Sequence, residues 1–243
     1  MFQLLILGLG VGTMAGFFGI GGGTVLIPAL LMLGYEMKAS IGISVFQMAF
    51  VSLYGSYLNF KQGSLVISTI LPIAFGGFVG ALLSGTIVSL VPSMYLEYSF
   101  LGFVSIALIR MLYTPKTSSE QSSANPFVLF IIGMLLGVLS ISIGVGGSLL
   151  LVPILVGFFN FELKKAISAG LFFVVFSSIS GLISLSIAGH VIHLDAFVIA
   201  SASLVGVYIG IKLSNKTSSS LQKKLLLAFY ISVLSYLIFR TFS

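Results

Sequence analysis

The chain has 243 residues, of which 58% are apolar and 7% are charged, with a net charge of +6 and no cysteine. Soluble globular proteins carry roughly 25% charged residues, so this composition excludes a water-soluble surface and predicts an integral membrane protein. The lack of cysteine excludes disulfides and thiolate metal sites, and the basic residues are scattered in short loops, which favours a membrane topology signal over nucleic-acid binding.

The first apolar element is interrupted by glycine. Residues 2–18 and 24–33 are apolar enough for membrane depth, but Gly19–Gly23 places four glycines among five residues. Glycine costs about 1 kcal/mol in a helix interior, so the pattern predicts two half-helices joined by non-helical backbone. At membrane depth such backbone survives only where it is buried in protein or lines a wet cavity.

The start of the second half-helix is a predicted anion site. Thr24 is the predicted N-cap, and Pro28 lies just inside the helix. Free N–H groups and the positive end of the helix dipole attract anions. Close helix packing is the alternative explanation of the glycines, since small residues such as Gly12 and Gly16 also serve that purpose. The predicted ligand-lining residues are Gly19, Gly21, Gly22, Gly23 and Thr24.

Three uninterrupted apolar stretches follow, at about residues 39–60, 65–91 and 96–112, and each is long enough to span a bilayer. Ser44 and Gln47 share one face of the first span, and both are candidates to line a pathway. For Gln47 the alternatives are a pathway and a partner inside the protein. Serine hydroxyls in membrane helices more often bond backbone, and that is the expectation for Ser52, Ser56, Ser168, Ser177, Ser178, Ser180 and Ser184.

The sequence then repeats itself. Residues 114–127 form a polar stretch and predict an aqueous linker between membrane units at 1–113 and 128–243. In the second unit an ordered series matches the first at an offset of 125 and then 126 (Gly19 with Gly144, Gly21 with Gly146, Gly22 with Gly147, Pro28 with Pro153, then Glu36 with Glu162 and Lys38 with Lys164). The repetition predicts a second break at Gly144, Gly146, Gly147 and Ser148, with Ser148 as N-cap, and spans at about 166–187, 195–213 and 223–241.

Loop charges predict how the broken elements lie. If they cross the membrane, the basic residues divide seven to four between the two sides; if they fold back, the division is nine to two. The positive-inside rule favours the sharper asymmetry. We therefore predict an all-α polytopic membrane protein of two inverted repeats, each with a re-entrant, glycine-broken first element plus about three transmembrane helices, and with both termini outside the cytoplasm.

The remaining chemical groups give little sign of catalysis. His190, His193 and Asp195 cluster in a short connection, where an interfacial hydrogen-bonding role is favoured over a metal site or a pH sensor. The acidic residues sit at loops or span ends, so no carboxylate is placed to carry protons at mid-membrane. We expect neither an enzyme nor a bound metal or cofactor.

A family resemblance adds a substrate class. The run GxxxGxxGxGGGxxxxP at Gly12–Pro28, with a weaker copy at Gly137–Pro153, resembles the sulfite exporter TauE/SafE family of membrane permeases. Residues 38–44 (KASIGIS) and 164–170 are similar to the stretches that follow these elements in the family. The resemblance implies a multi-pass carrier of the bacterial inner membrane for sulfur-containing anions, such as sulfite or small organosulfonates.

The sequence thus predicts a secondary transporter of small anions. Its expected partners are the anionic substrate and the lipid bilayer, and not nucleic acid, while a homo-oligomer is left open. Two alternatives stay open: a proton-coupled carrier of another small organic solute, and a non-transporting membrane scaffold subunit.

Overall fold

The computed structural model describes residues 1–65, 67–112 and 125–242, and the regular structure of these residues is entirely helical. The helices are α1 (Phe2–Phe18), α2 (Gly23–Met32), α3 (Met37–Lys61), α4 (Ile67–Ala81), α5 (Ser84–Leu90), α6 (Ser93–Leu112), α7 (Pro126–Ser142), α8 (Ser148–Phe158), α9 (Leu163–Ile187), α10 (His193–Lys216) and α11 (Ser219–Phe242). By length and composition, Met37–Lys61, Ile70–Leu90, Leu163–Ile187 and His193–Lys216 could each cross a membrane. The predicted class, an all-α polytopic membrane protein, is confirmed.

The first broken element folds back on itself. Successive glycines of α1 lie against successive turns of α10, so the two helices run in the same direction (Gly8 on Ile199, Gly12 on Ser203, Gly16 on Val207). After the break the chain returns, because the hydroxyl of Tyr35, just beyond α2, donates to Asp195 in the first turn of α10 at 2.7 Å. The α1–α2 element therefore enters and leaves on the same face of the bundle.

The second broken element does the same at the opposite face. Gly133 and Gly137 of α7 lie against Ile73 and Gly77 of α4, so α7 and α4 run in the same direction. Near the start of α9, after α8 has returned, Ser168 hydrogen-bonds Ser64 in the connection before α4 at 3.0 Å. The end of α8 is thus back at the level where α4 begins.

Two groups of contacts define the ends of the bundle. At one end, the Tyr35 face, Tyr35 meets Asp195, and Lys38 donates to the carbonyl of Ser89 at 3.2 Å. At the other, the Asn215 face, Lys164 donates to the carbonyl of Asn215 at 3.3 Å, and the amide of Asn215 donates to Gln62 at 2.7 Å. Burial first, and then the hydrogen bond and negative charge of Asp195, raise the pKa of Tyr35 to about 12.

The longest helices, α3 and α9, run antiparallel through the centre. Gly55 of α3 lies against Leu171 of α9, whereas Gly181 of α9 lies against Val45 of α3. Opposite directions of corresponding helices are what inverted repeats require, but the division into repeats at 1–113 and 128–243 stays a prediction. Of the predicted linker at 114–127, the structure describes only residues 125–127.

Glycines fix the broken elements against helices of the other half. A Cβ on Gly12 would lie 2.2 Å from the carbonyl oxygen of Ser203, and one on Gly80 would lie 2.1 Å from that of Met134. Backbones approach this closely only through small residues, which is the usual way of packing membrane helices. Close helix packing, the alternative explanation of the glycines, therefore describes Gly12 and Gly16 well. Contacts of the same kind hold α1 against α10 and α7 against α4.

Candidate functional site

The two glycine breaks meet at the middle of the bundle. Met48 and Val174 are each the twelfth residue of a 25-residue helix. At 1.5 Å per residue such a helix is roughly 37 Å long, so both residues lie near mid-depth. A Cβ on Gly21 or on Gly146 would approach Met48 Sδ (3.1 and 2.6 Å), with the methyls of Val174 close behind (3.5 and 3.3 Å).

Left-handed backbone makes the breaks and explains their glycines. Gly19 ends α1 at φ 69°, and Gly22 occupies the N-cap position of α2 at φ 88°. Gly144 and Gly147 have φ 72° and 80°, and Gly147 caps α8 in the same way. Residues with a Cβ are strained by roughly 1–2 kcal/mol in this conformation, so glycine suits each position.

The predicted caps are wrong. Thr24 is the second residue of α2 and Ser148 the first residue of α8, because a left-handed glycine has taken each cap position. Their hydroxyls therefore cap nothing, and Thr24 Oγ1 and Ser148 Oγ are buried without a hydrogen-bond partner among the described residues. The prolines also sit deeper than predicted, since Pro28 and Pro153 are each the sixth residue of their helix.

Backbone N–H groups are left over at both helix starts. In α2, Val25 and Leu26 donate back to the carbonyl of Gly22, but no described acceptor takes the N–H of Gly23 or Thr24. In α8, Leu151 donates to Gly147. The N–H groups of Ser148 and Leu149 likewise have no acceptor in the part of the chain that the structure describes. The first N–H groups of a helix always lack intrahelical partners, and here both helix starts are buried.

Two carbonyl groups near the breaks receive donors from side chains. Ser44, predicted to line a pathway, donates to the carbonyl of Gly144 at 2.8 Å. Gln222 of α11 donates to the carbonyl of Phe17, at the end of α1. Ser44 thus lies at the site, and it joins the first long helix to the second break.

Gln47 stands directly over the first break. Its side chain is 0% exposed, and neither Oε1 nor Nε2 has a hydrogen-bond partner among the described residues. The two atoms lie 3.0 and 3.1 Å from the position that a Cβ on Gly22 would take. The alternatives for Gln47 were a pathway and a partner inside the protein, and the structure shows no polar partner for it among the described residues.

Phe173 was missed by the sequence reasoning. Its ring lies over the second break, with Cε1 2.4 Å from the position of a Cβ on Gly147. The offset of 126 that pairs Lys38 with Lys164 also pairs Gln47 with Phe173, so the signal was present in the sequence.

Of the other predicted polar residues, Ser56 is buried without a hydrogen-bond partner among the described residues, contrary to the expectation that it bonds backbone, and the rest lie away from the breaks or bond backbone. Ser177 and Ser178 donate within α9, and Ser180 and Ser184 donate to carbonyls of residues 78 and 82. His190 Nε2 meets Ser89 Oγ at 2.9 Å, while His193 packs edge-on against Phe46. Burial, and then the charge of Lys38, lower the pKa of His190. His190, His193 and Asp195 therefore have three different partners and do not converge.

The breaks are closed to solvent and free of ionised side chains. Residues 19–24 and 143–149 are all buried. Of three cavities of 340–730 Å³ between helices in the described part of the chain, two have no lining residue from a break, and the 340 Å³ cavity includes Ile143 at the edge of the second break. In the described ranges the buried polar side chains are Ser, Thr, Asn and Gln, together with Tyr230, whose hydroxyl donates to the carbonyl of Leu149 at 3.4 Å.

One family model and three curated relatives match the chain. A family model described as "Sulfite exporter TauE/SafE" matches residues 4–237. A probable membrane transporter protein, YunE, of Bacillus subtilis is 26% identical over 88% of each chain. Probable membrane transporter proteins of Methanocaldococcus jannaschii (88% of this chain, 86% of the relative) and Haemophilus influenzae (78% and 76%) are also 26% identical. No solved structure gives a significant match.

Proposed function

The chain belongs to the sulfite exporter TauE/SafE family, a family of membrane transporters, and we propose that it is a secondary transporter of small anions, with sulfite or an organosulfonate-like anion as substrate. The observation that carries the proposal is the set of unpaired N–H donors at the buried starts of α2 and α8.

The unpaired donors at the helix starts support an anion as substrate. Carbonyl oxygens would be the ligands of a metal cation; those of Gly144 and Phe17 already accept side-chain donors, whereas those of residues 19–21 receive none among the described residues. The donors of Gly23, Thr24 and Ser148 have no acceptor among the described residues. Donors without acceptors, at the positive ends of two helices, suit a negatively charged oxygen.

The lack of a fixed positive charge fits a carrier that must also release its substrate. A buried donor without a partner costs about 1–3 kcal/mol, and hydrogen bonds to a charged group contribute about 1.5–3 kcal/mol each. An anion at the break would therefore be held by a few charge-assisted bonds, because the buried side chains of the described residues include no lysine or arginine that would trap it. Net movement would follow the anion gradient and the membrane potential.

The proposed location is the bacterial inner membrane, with the Asn215 face in the cytoplasm. Of the lysines that the structure describes, seven lie toward this face and only Lys38 lies at the Tyr35 face (Lys61, Lys164, Lys165, Lys212, Lys216, Lys223 and Lys224). Cytoplasmic loops carry the excess of lysine and arginine in membrane proteins.

Flux in proteoliposomes that contain this protein alone tests the proposal. Labelled sulfite, thiosulfate, a small sulfonate and chloride would be compared, with membrane potential and pH gradient set independently. We expect saturable sulfite movement that responds to potential, and its loss in Gly22→Val, because Gly22 has φ 88° and its Cβ would lie 2.9 Å from Val11 Cγ1. Gly10→Val, on the same first element but with nothing within 4 Å of its Cβ, is the control and should transport normally.

Other results would redirect the assignment. Flux that depends on the pH gradient and on an organic solute would favour the proton-coupled carrier. No anion flux from a folded preparation would contradict the proposal and favour the scaffold subunit.

A further inference from the structure

The two breaks are alike in backbone but differ in the side chain that faces them. Gln47 and Phe173 are each the eleventh residue of a 25-residue helix, and they correspond at the offset of 126. Phe173 is the side chain nearest to the Cβ position of Gly147, which caps α8. Gln47 is the second nearest, after Val11, to the Cβ position of Gly22, which caps α2. One helix start therefore faces an amide, and the other faces an aromatic ring.

The amide makes the first break incomplete without a ligand. Both polar atoms of Gln47 are fully buried and unpaired, and the N–H groups of Gly23 and Thr24 beside them are unpaired as well. Buried polar groups without partners are costly, and they mark places where a ligand supplies the missing bonds. Nε2 can donate to an oxyanion, and Oε1 can accept from a protonated oxygen of the ligand or from the backbone.

The ring of Phe173 occupies the second break, where the N–H groups of Ser148 and Leu149 and the Ser148 hydroxyl are also unpaired among the described residues. Phe173 is 0% exposed, and its ring lies between two glycines, with Cε1 2.4 Å from the Cβ position of Gly147 and Cε2 2.4 Å from that of Gly77. Two residues without side chains are what allow the ring to occupy this space. An anion at the start of α8 would have to displace the ring, and the ring offers no donor in return.

We propose that the transporter binds one anion, at the first break alone, between the N–H groups that begin α2 and the amide of Gln47, and that the ring of Phe173 closes the corresponding position at the second break. This inference rests on the proposed anion transport, and it adds which half holds the substrate and which side chain discriminates for it. The ligand class is a small oxyanion that accepts from N–H groups and from one amide.

The same substitution at the two corresponding positions separates their roles. Methionine is unbranched and flexible, so Gln47→Met replaces the amide by an apolar side chain of similar length, and Phe173→Met replaces the ring by a smaller apolar side chain. Purified wild type and variants would be compared by the shift in unfolding temperature with sulfite, by sulfite flux, and by the number of sulfite ions bound per chain in equilibrium dialysis.

The expected results differ sharply between the variants. Gln47→Met should lose the sulfite-dependent stabilisation, with affinity reduced roughly tenfold to a hundredfold, because a hydrogen bond to a charged ligand is removed. Without sulfite it should unfold at or above the wild-type temperature, since two unpaired buried polar atoms are gone. Phe173→Met should bind and transport sulfite close to wild type. If Gln47→Met does not give a monodisperse protein, Gln47→Leu carries the same test.

Several results would overturn the inference. They are wild-type sulfite affinity in Gln47→Met, two sulfite ions per wild-type chain, or an equal loss of binding in a folded Phe173→Met. A wild-type protein that neither binds nor moves any anion would instead remove the proposed function, and the inference with it.

Discussion

Replacing Gly22 by alanine should stop transport without unfolding the protein. The backbone at Gly22 has φ 88°, which costs an L-residue roughly 1–2 kcal/mol. Its Cβ would also lie 2.9 Å from Val11 Cγ1 and 3.0 Å from Gln47 Oε1, so these neighbours must move, and overpacking of this kind costs about 1–3 kcal/mol. The added methyl group would lie against the Gln47 amide, beside the N–H donors to which the anion is proposed to bind.

Gly34 offers a matched control for the backbone strain. Its φ is 87°, nearly that of Gly22, but nothing lies within 4 Å of its Cβ position. Gly34→Ala should therefore lose only the roughly 1–2 kcal/mol of strain and keep wild-type sulfite flux. Thermal unfolding in detergent and flux in proteoliposomes would be measured on both variants. If folded Gly22→Ala transports sulfite as well as Gly34→Ala does, the placement of the anion at this helix start is refuted.

Three further predictions test the packing and the topology. Gly12→Ala should destabilise the protein by about 1–3 kcal/mol, because its Cβ would lie 2.2 Å from a carbonyl oxygen of α10. Gly10→Ala has open space around its Cβ and should be neutral or up to about 1 kcal/mol stabilising. Equal unfolding temperatures of the two variants would contradict the glycine contact. Tyr35→Phe removes a hydrogen bond to a carboxylate, which is worth about 1 kcal/mol at this partly exposed site. Because the pKa of Tyr35 is raised from 10.0 to about 12, wild type should be more stable than the variant below pH 10 and should lose this difference as the pH rises through 12. A stability difference that stays constant up to that pH would argue against the contact. In a chain without cysteine, Glu36→Cys and Ser218→Cys should react with impermeant thiol reagents from opposite sides of the membrane, with Ser218→Cys facing the cytoplasm; labelling from one side would contradict the fold-back arrangement.

The sequence was sufficient to predict the breaks and four of the spans. The spans at about 96–112 and 223–241 stay predictions, and the stretch at 65–91 forms two helices, α4 and α5, instead of one. Four glycines among residues 19–23 cannot continue a helix, and the structure breaks there, with left-handed backbone at Gly19, Gly21 and Gly22. The distribution of loop lysines predicted that the broken elements fold back and do not cross the membrane. The contacts of Tyr35 with Asp195 and of Ser168 with Ser64 place the ends of both elements as folding back requires. These features depend on local backbone preference and on charge counts, both of which a sequence carries directly.

What the sequence could not supply was the partner of each surface. The glycines of α1 indicate close helix packing, but only the fold shows that they pack against α10 of the other half. Thr24 and Ser148 have the right residue types for N-caps, yet adjoining glycines took that position because they alone adopt left-handed backbone without strain. Their hydroxyls became part of the buried, unpaired set at the breaks instead.

The difference between Gln47 and Phe173 could be predicted from the sequence only in part. The repeat offset aligned the two residues, but alignment alone does not say that each side chain faces a capping glycine. Once that contact is known, the polar and apolar breaks follow from the identity of one residue in each half.

The measurement that tests the account most directly is the location of a bound anion. Selenite is a small oxyanion whose selenium gives anomalous scattering, so crystals grown with it would show the anion position without interpretation of weak density. We expect one peak per chain, within hydrogen-bond distance of the N–H groups of Gly23 and Thr24 and of the amide of Gln47. A peak confined to other parts of the molecule, or none at the first break when selenite is transported, would contradict it.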